Sequence, residues 1–517
     1  MPQTGISVKN FAQATGGTFY IGGVPYDSTG AMLVSPWTSN NSAGLMRCIL
    51  MGDSMTAQNA GNTTLTSVSR SNNVVTCVGA SGGTGALARI YNCLDTSFNT
   101  NSVEITRVDS NTFTYPSTGA NGSTSDLTAL KPMQVQFSTV CNDNGYMFWL
   151  QSKTGGALKV ALNAGCNGQT AADMRSRYAT DVIGQSNYDL VILLTGYNDF
   201  AVAGRTAAAV YADVVAMATQ SAAIGNGIII VSALPWTTGG TATDRKEALK
   251  YNRMIREWCN TQRGVRFADA AKYLIDATNA TAFSPLSNML QSDGIHPSPK
   301  GAERIAQAIY DVLQYDAPRV SRLVSCSLDN YGNDSTNKNI LDAAPWTTSG
   351  GALAGGTTGT SASGMAVTLS GGTAVASVVS RSDGIGYNQR VIFTPSANND
   401  SVTISGTGYI TGRFSVGDYL NYLGELSLSG MSGANIKSIE IYITYNNGNS
   451  IHYLAKAAAA NNSSYPATDT TISFASLVDS VIPSGTTGVG WTIIIKAGAA
   501  GTALTAELGR QSLAKVA

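Results

Sequence analysis

The stretch Arg47-Cys-Ile-Leu-Met-Gly-Asp-Ser-Met-Thr-Ala57 decides how the rest of the chain is read. Its apolar run, Cys48 to Met51, is the signal of a short buried strand. The run passes directly into Gly52-Asp53-Ser54, where the backbone must turn sharply. A serine at the carboxyl end of a buried strand, beside a turn glycine, stands where α/β enzymes expose nucleophiles. If Ser54 is one, the remaining chain must supply a base and oxyanion donors.

Working outward, the chain alternates strand and helix signals from about Met133 to Tyr315. Leu158 to Leu162, Tyr188 to Thr195, Gly227 to Leu234 and Val265 to Ala268 read as strands, Tyr188 to Thr195 and Gly227 to Leu234 of the buried kind, the former largely apolar as in parallel sheets. Tyr146 to Gln151, Ala171 to Tyr178, Thr206 to Ile224, Asp244 to Gln262 and Ser298 to Gln314 read as helices, the last with Pro299 in its first turn. Alternation of this sort predicts a parallel sheet with helices on both faces. Between Ser54 and that region, residues 58–132 read differently. Asn73 to Val78, Leu87 to Tyr91, Ser102 to Val108 and Thr112 to Tyr115 have period two and lie between turn clusters. They predict a small β-domain inserted directly after the Ser54 turn. Residues 317–517 lose the helix signal, and Ile436 to Tyr445 and Gly490 to Lys496 are clear strands, which fits a β-sandwich of jelly-roll type. Thr348 to Gly372 reads as loop. Residues 1–43 read as an extended arm with short strands at Thr18 to Ile21 and Ala31 to Val34.

The chain has two histidines, His296 and His452. His452 lies in the alternating run Ser450-Ile-His-Tyr-Leu-Ala and reads as a strand histidine. His296 lies in the turn-rich loop Ser292-Asp-Gly-Ile-His-Pro-Ser-Pro-Lys-Gly301, before a helix. Asp293, three residues earlier, can reach the same imidazole on a tight turn, hold its tautomer and stabilise an imidazolium. Candidate oxyanion donors follow two of the strands. Gly168 sits in Asn163-Ala-Gly-Cys-Asn-Gly-Gln-Thr170, and Asn198 in Gly196-Tyr-Asn-Asp199. Each is at a strand's carboxyl end, the edge of an open sheet where ligands bind. In isolation Gly168 also reads as a turn glycine and Asn198 as a cap. Asp53 and Asp199 read as supports that hold these turns. Tyr197 and Trp236, on the same sheet edge, read either as sugar-stacking platforms or as packing residues.

Gly-Asp-Ser, Asn-x-Gly-x-x-Gly, Gly-x-Asn-Asp and Asp-x-x-His-Pro occur in this order. Together they resemble the four blocks of the SGNH (GDSL-type) hydrolases, over residues 44–56 and 133–316. The resemblance implies a three-layer, flavodoxin-like α/β core and an esterase or deacetylase without metal or cofactor. It implies Ser54 as nucleophile, His296 as general base and Asp293 as acid member. The oxyanion hole would be the Ser54 and Gly168 N–H groups with the Asn198 side chain. Met55 stands where the family usually has leucine, and the β-insert follows where the family usually continues into a helix.

Composition narrows the partners. Lys+Arg and Asp+Glu are both 32, so no basic excess exists for a phosphate backbone, and nucleic acid is not an expected partner. Charged residues are 12%, and Gly, Ser, Thr and Asn abound, as on hydroxyl-rich extracellular or virion surfaces. The seven cysteines show no Cys-x-x-Cys spacing and read as buried free thiols, with a Cys77–Cys93 bridge left open. No signal-peptide pattern opens the chain, and no apolar run is long enough to span a membrane. The combination points to an O-acetylesterase acting on an acetylated bacterial polysaccharide or oligosaccharide. A phage-tail component, trimeric as tail spikes are, and so found in the virion or released by lysis, is the favoured setting. A bacterial carbohydrate esterase with a binding module, and a non-catalytic receptor-binding virion protein, stand as alternatives.

Overall fold

The computed structural model describes residues 19–21, 24–26, 45–79, 87–279, 281, 283–314, 323–326, 328–336, 338–342, 348–447, 450–457 and 465–516. The expected strand at Ala31 to Val34 lies outside these; Phe19–Ile21 and Val24–Tyr26 pair as a two-stranded ribbon.

A five-stranded parallel sheet forms the centre of the α/β region: β1 Met46–Gly52, β2 Leu158–Gly165, β3 Leu190–Leu194, β4 Gly227–Val231 and β5 Val265–Ala268. The spatial order is β2-β1-β3-β4-β5. That is the doubly wound flavodoxin-like order, with its switch point between β1 and β3. Side-chain alternation divides each strand between two apolar clusters. Cys48, Leu50, Leu190, Ile192, Ile229 and Val231 face one side. Ile49, Met51, Val191, Leu193, Ile228 and Ile230 face the other. The first face is covered by helices α2 (Tyr146–Lys153) and α6 (Pro299–Leu313), the second by α3 (Ala171–Tyr178), α4 (Ala207–Ala223) and α5 (Ala242–Cys259). Burying each of these aliphatic side chains contributes about 1.5–3 kcal/mol, so a one-residue slip in β1 would be very costly. Helix α5 turns Ala248, Tyr251, Ile255 and Cys259 inward, on helical spacing. Capping boxes at Thr170 and Thr241 start α3 and α5, and Ser298 caps α6 ahead of Pro299.

The insertion has an apolar core of its own, including Val68, Val75, Cys77, Ile90, Phe113, Val135 and Phe137. Its sheet runs past the boundary expected at residue 132. Strand Gln134–Asn142 pairs antiparallel with Ala60–Thr64 and Leu87–Tyr91. The run expected as one strand, Ser102 to Val108, is split: Thr100–Glu104 pairs with Leu87–Tyr91, while Thr106–Arg107 joins a separate five-stranded sheet. Strand Gln134–Asn142 also pairs in parallel with Ser450–Lys456, matching Val140 to Tyr453 and Asn142 to Lys456. Insert and C-terminal region therefore share one ten-stranded sheet. A second, seven-stranded sheet completes the C-terminal region. Thr348 to Gly372, read as loop, carries strands Ala352–Ala354, Thr358–Gly359 and Met365–Ser370. The C-terminal region docks at the start of α2 through Tyr465, whose ring lies edge-on to Trp149 of that helix and whose hydroxyl donates to Asp143 Oδ2, just before it, at 2.8 Å.

All seven cysteines are free, six of them buried and Cys326 exposed. Among the described residues, no helix is long and apolar enough to cross a membrane.

Candidate active site

Ser54 is the first residue of a single helical turn, α1 (Ser54–Ala57), entered directly from β1. The turn is tight enough to require glycine before it. A Cβ at Gly52 would meet Thr56 Oγ1 at 2.1 Å and the Leu194 carbonyl at 2.7 Å. Asp53 caps the turn, its Oδ1 accepting from the Met55 N–H at 2.9 Å. Its other carboxylate oxygen has no hydrogen-bond partner among the described residues. Burial pushes the Asp53 carboxyl up to about 7, against the Met55 N–H, which favours the anion.

His296 arrives from the loop before α6. Asp293 Oδ1 accepts from the Ile295 N–H at 2.9 Å and the His296 N–H at 3.0 Å, closing the tight turn. That turn leaves Asp293 Oδ2 at 2.7 Å from His296 Nδ1, while His296 Nε2 stands 2.8 Å from Ser54 Oγ. Partial burial opposes the charge on Asp293, but the His296 ring and the two N–H groups outweigh it and hold the carboxyl at about 2. An ionised Asp293 accepts only, so Nδ1 carries the proton and Nε2 offers its lone pair to the Ser54 hydroxyl.

Gly168 and Asn198 follow β2 and β3. Gly168 has φ +75°, and a Cβ there would meet the Leu130 carbonyl at 2.3 Å. Asn198 is buried and donates through Nδ2 to the Gln169 carbonyl at 3.2 Å. That bond uses one of its two amide hydrogens and orients the other. Asp199 accepts from the Ala171 N–H at 3.0 Å, the Thr195 hydroxyl at 2.7 Å and Arg205 at 2.6 Å, which ties the Asn198 turn to the start of α3. Burial raises its carboxyl above the ordinary value against these bonds. Two residues not singled out in the sequence join these parts. Gln169 supplies the carbonyl for Asn198, and Arg177 donates to Gln169 Oε1 at 2.7 Å and to the Gly52 carbonyl at 3.4 Å. Gln169 lies within the Gly168 turn, but nothing local marks Arg177, which reads as an ordinary helix-surface arginine.

Trp236 is a correction. It is fully buried against Tyr197 and Phe283, and its indole N–H donates to the Gly239 carbonyl at 3.0 Å. A ring enclosed on both sides cannot stack on a sugar. Tyr197 is part-exposed, with its ring edge-on to Trp236 and its hydroxyl donating to the Thr238 carbonyl at 3.1 Å. Among the described residues no group of three or more His, Cys, Asp or Glu is arranged to hold a metal ion.

Residues 109–304 match the model of the GDSL-like Lipase/Acylhydrolase family. The matched span contains Gly168, Asn198, Asp293 and His296, whereas Ser54 precedes it on the far side of the insertion. No curated protein matches the chain. Among solved structures, the chain is similar to a lipase/acylhydrolase from Enterococcus faecalis, at 15% identity over 52% of this chain and 96% of that one, with a TM-score of 0.30. It is also similar to a mutant acetyl-xylooligosaccharide esterase from Geobacillus Stearmophilus, at 16% identity over 53% and 97%, TM-score 0.31. A third likeness is to the aryl esterase of M. smegmatis, at 14% identity over 52% and 99%, TM-score 0.29. The family match supports an ester-cleaving hydrolase of the GDSL/SGNH lipase–acylhydrolase kind.

Proposed function

We propose that this protein is a serine esterase that removes O-acetyl groups from a bacterial surface polysaccharide, as part of a phage tail. The observation that carries the chemistry is the relay from Asp293 Oδ2 to His296 Nδ1 (2.7 Å) and from His296 Nε2 to Ser54 Oγ (2.8 Å). His296 takes the Ser54 proton as Oγ attacks the acetyl carbonyl. The oxyanion is met by the Ser54 and Gly168 N–H groups and the free Asn198 amide hydrogen. The sugar hydroxyl leaves with the proton from His296, and acetyl-Ser54 remains. Water, deprotonated by His296, attacks the acetyl group; acetic acid departs and Ser54 is restored. No step requires a cofactor.

The substrate reading rests on the net-neutral, hydroxyl-rich composition and on two β-rich additions around the hydrolase core. The tail reading rests on the polar, glycine-rich first 43 residues and the β-rich C-terminal region. Wild type and Ser54→Ala are to be incubated with 4-nitrophenyl acetate and with acetylated capsular or O-antigen polysaccharide, and released acetate measured. Release from both substrates by wild type alone is expected. Equal release by the mutant removes the esterase reading, and release from the small ester alone removes the polysaccharide. Light scattering after size exclusion tests the trimer, and a monomer counts against the tail spike.

A further inference from the structure

The loop Gly165–Thr170, which carries Gly168 and abuts Asn198, takes much of its support from outside the parallel sheet. Arg89 and Gln136 lie directly opposite each other on adjacent antiparallel strands of the insertion, so their side chains leave the same face. Both reach the Gly165 carbonyl, Arg89 Nη1 at 2.9 Å and Gln136 Nε2 at 2.9 Å. Arg89 Nη2 also lies 3.3 Å from Cys166 Sγ and 3.3 Å from Asp181 Oδ2. Asp181 pairs in turn with Arg177 at 2.5 Å. Asn92, with φ +62°, donates to the Asn167 carbonyl at 3.3 Å and accepts from Gln169 Nε2 at 3.3 Å. The Leu130 carbonyl fills the space beside Gly168, and Lys131 binds Asp173 at 2.8 Å, the carboxylate that closes the α3 capping box. Arg89, Asn92 and Gln136 are all buried.

We propose that the inserted β-domain is the outer wall of the oxyanion hole, with Arg89 and Asn92 as positioning residues for Gly168 and, through Gln169, for Asn198. The proposal rests on the esterase reading of the site. The physical argument is preorganisation. Oxyanion donors act only if they already stand where charge develops, and a displacement of about 1 Å can cost on the order of 100-fold in rate. Here the carbonyls of Gly165 and Asn167, which flank the Gly168 turn, are bonded from the insertion, and Gln169 is held between Asn92 and Arg177. The loop cannot move independently of that domain without leaving these buried groups unpaired.

Asn92→Ala, Arg89→Lys, Asn198→Ala and the Asn92→Ala/Asn198→Ala double variant are to be assayed with 4-nitrophenyl acetate at a temperature well below melting, with circular dichroism to give the folded fraction. Expected for Asn92→Ala and Arg89→Lys is a kcat loss of roughly 10- to 100-fold with KM changed less than about threefold. In the Asn198→Ala background, Asn92→Ala should cost less than it does alone, because the part of its effect that passes through Gln169 to Asn198 is already lost. A lower Tm with undiminished kcat per folded molecule in both single variants overturns the proposal, and full additivity of Asn92→Ala with Asn198→Ala overturns the part of it that runs through Gln169 to Asn198. Wild type no faster than Ser54→Ala removes the esterase reading and the inference with it. An active wild type with fully active variants removes only the inference.

Discussion

Ser54 Oγ stands 2.8 Å from His296 Nε2, although 242 residues of sequence separate the two. The contact is directional, because the ionised Asp293 fixes the Nδ1–H tautomer. Each of Ser54→Ala and His296→Ala should therefore lower kcat for 4-nitrophenyl acetate by about 10⁴- to 10⁶-fold, and the double variant should be no slower than either alone. Neither side chain holds the fold, so melting temperatures should stay within a few degrees of wild type. Additive losses in the double variant would show that the residues do not act as a unit.

Asp293→Asn tests the tautomer. The amide can present its NH₂ to Nδ1, which would move the ring proton to Nε2 and point it at Ser54. A kcat loss of about 10²- to 10⁴-fold is expected. Asp293 and His296 keep 33% and 28% of their side-chain surface exposed, so water can re-orient the ring in part and the lower end of that range is favoured. Because Asp293 is held at about 2, its own protonation should not limit activity above about pH 3, and an acid limb assigned to Asp293 in that region would contradict the geometry.

Gly168→Ala combines two costs. The residue would adopt φ +75°, and its Cβ would press on the Leu130 carbonyl, which belongs to the backbone and cannot swing away. A loss of roughly 1–3 kcal/mol in stability is expected, with a fall in kcat larger than the change in KM. Gly155→Ala is the control. Gly155 has φ +60° but open space where its Cβ would go, so strain alone should cost about 1 kcal/mol and leave kcat unchanged. Equal effects on kcat in the two variants would remove the steric argument.

The elements that carry chemistry were legible because each announces itself locally. Cys48 to Met51 is apolar on both faces of the sheet and ends in a glycine that the Leu194 carbonyl leaves no room to replace. Asp293 and His296 share one turn, so their contact is already implied by a spacing of three. What was not legible depends on distant partners. Arg89 and Gln136 sit on alternating strands, where a polar residue reads as solvent-facing, yet their acceptor at Gly165 is brought to them by the fold. The parallel pairing of Val140 with Tyr453 joins segments with no shared local signal. Trp236 follows a strand at the ligand edge, and the approach of residues distant in sequence, Tyr197 and Phe283, decides that its ring is packed rather than open.

The pairing that joins the insertion to the C-terminal region has a titratable group beside it. His452 lies in strand Ser450–Lys456, one residue before the Tyr453 that pairs with Val140, and is 2% exposed. Its Nδ1 has no hydrogen-bond partner among the described residues. Burial, aided by the charge of Lys159, lowers it to about 3. The sign follows from which state binds the proton. Between about pH 6.5 and pH 3 the unfolded chain protonates His452 and the folded chain does not, so the stability present above pH 6.5 is lost as pH falls through that window. The loss approaches about 1.4 kcal/mol for each pH unit within it. Denaturant midpoints of wild type should therefore fall from pH 7.5 to pH 4.5 more steeply than those of His452→Gln, which cannot take up the proton. Parallel slopes for the two proteins would mean that the imidazole gains a solvating partner on protonation and that the seam between insertion and C-terminal region is not acid-sensitive.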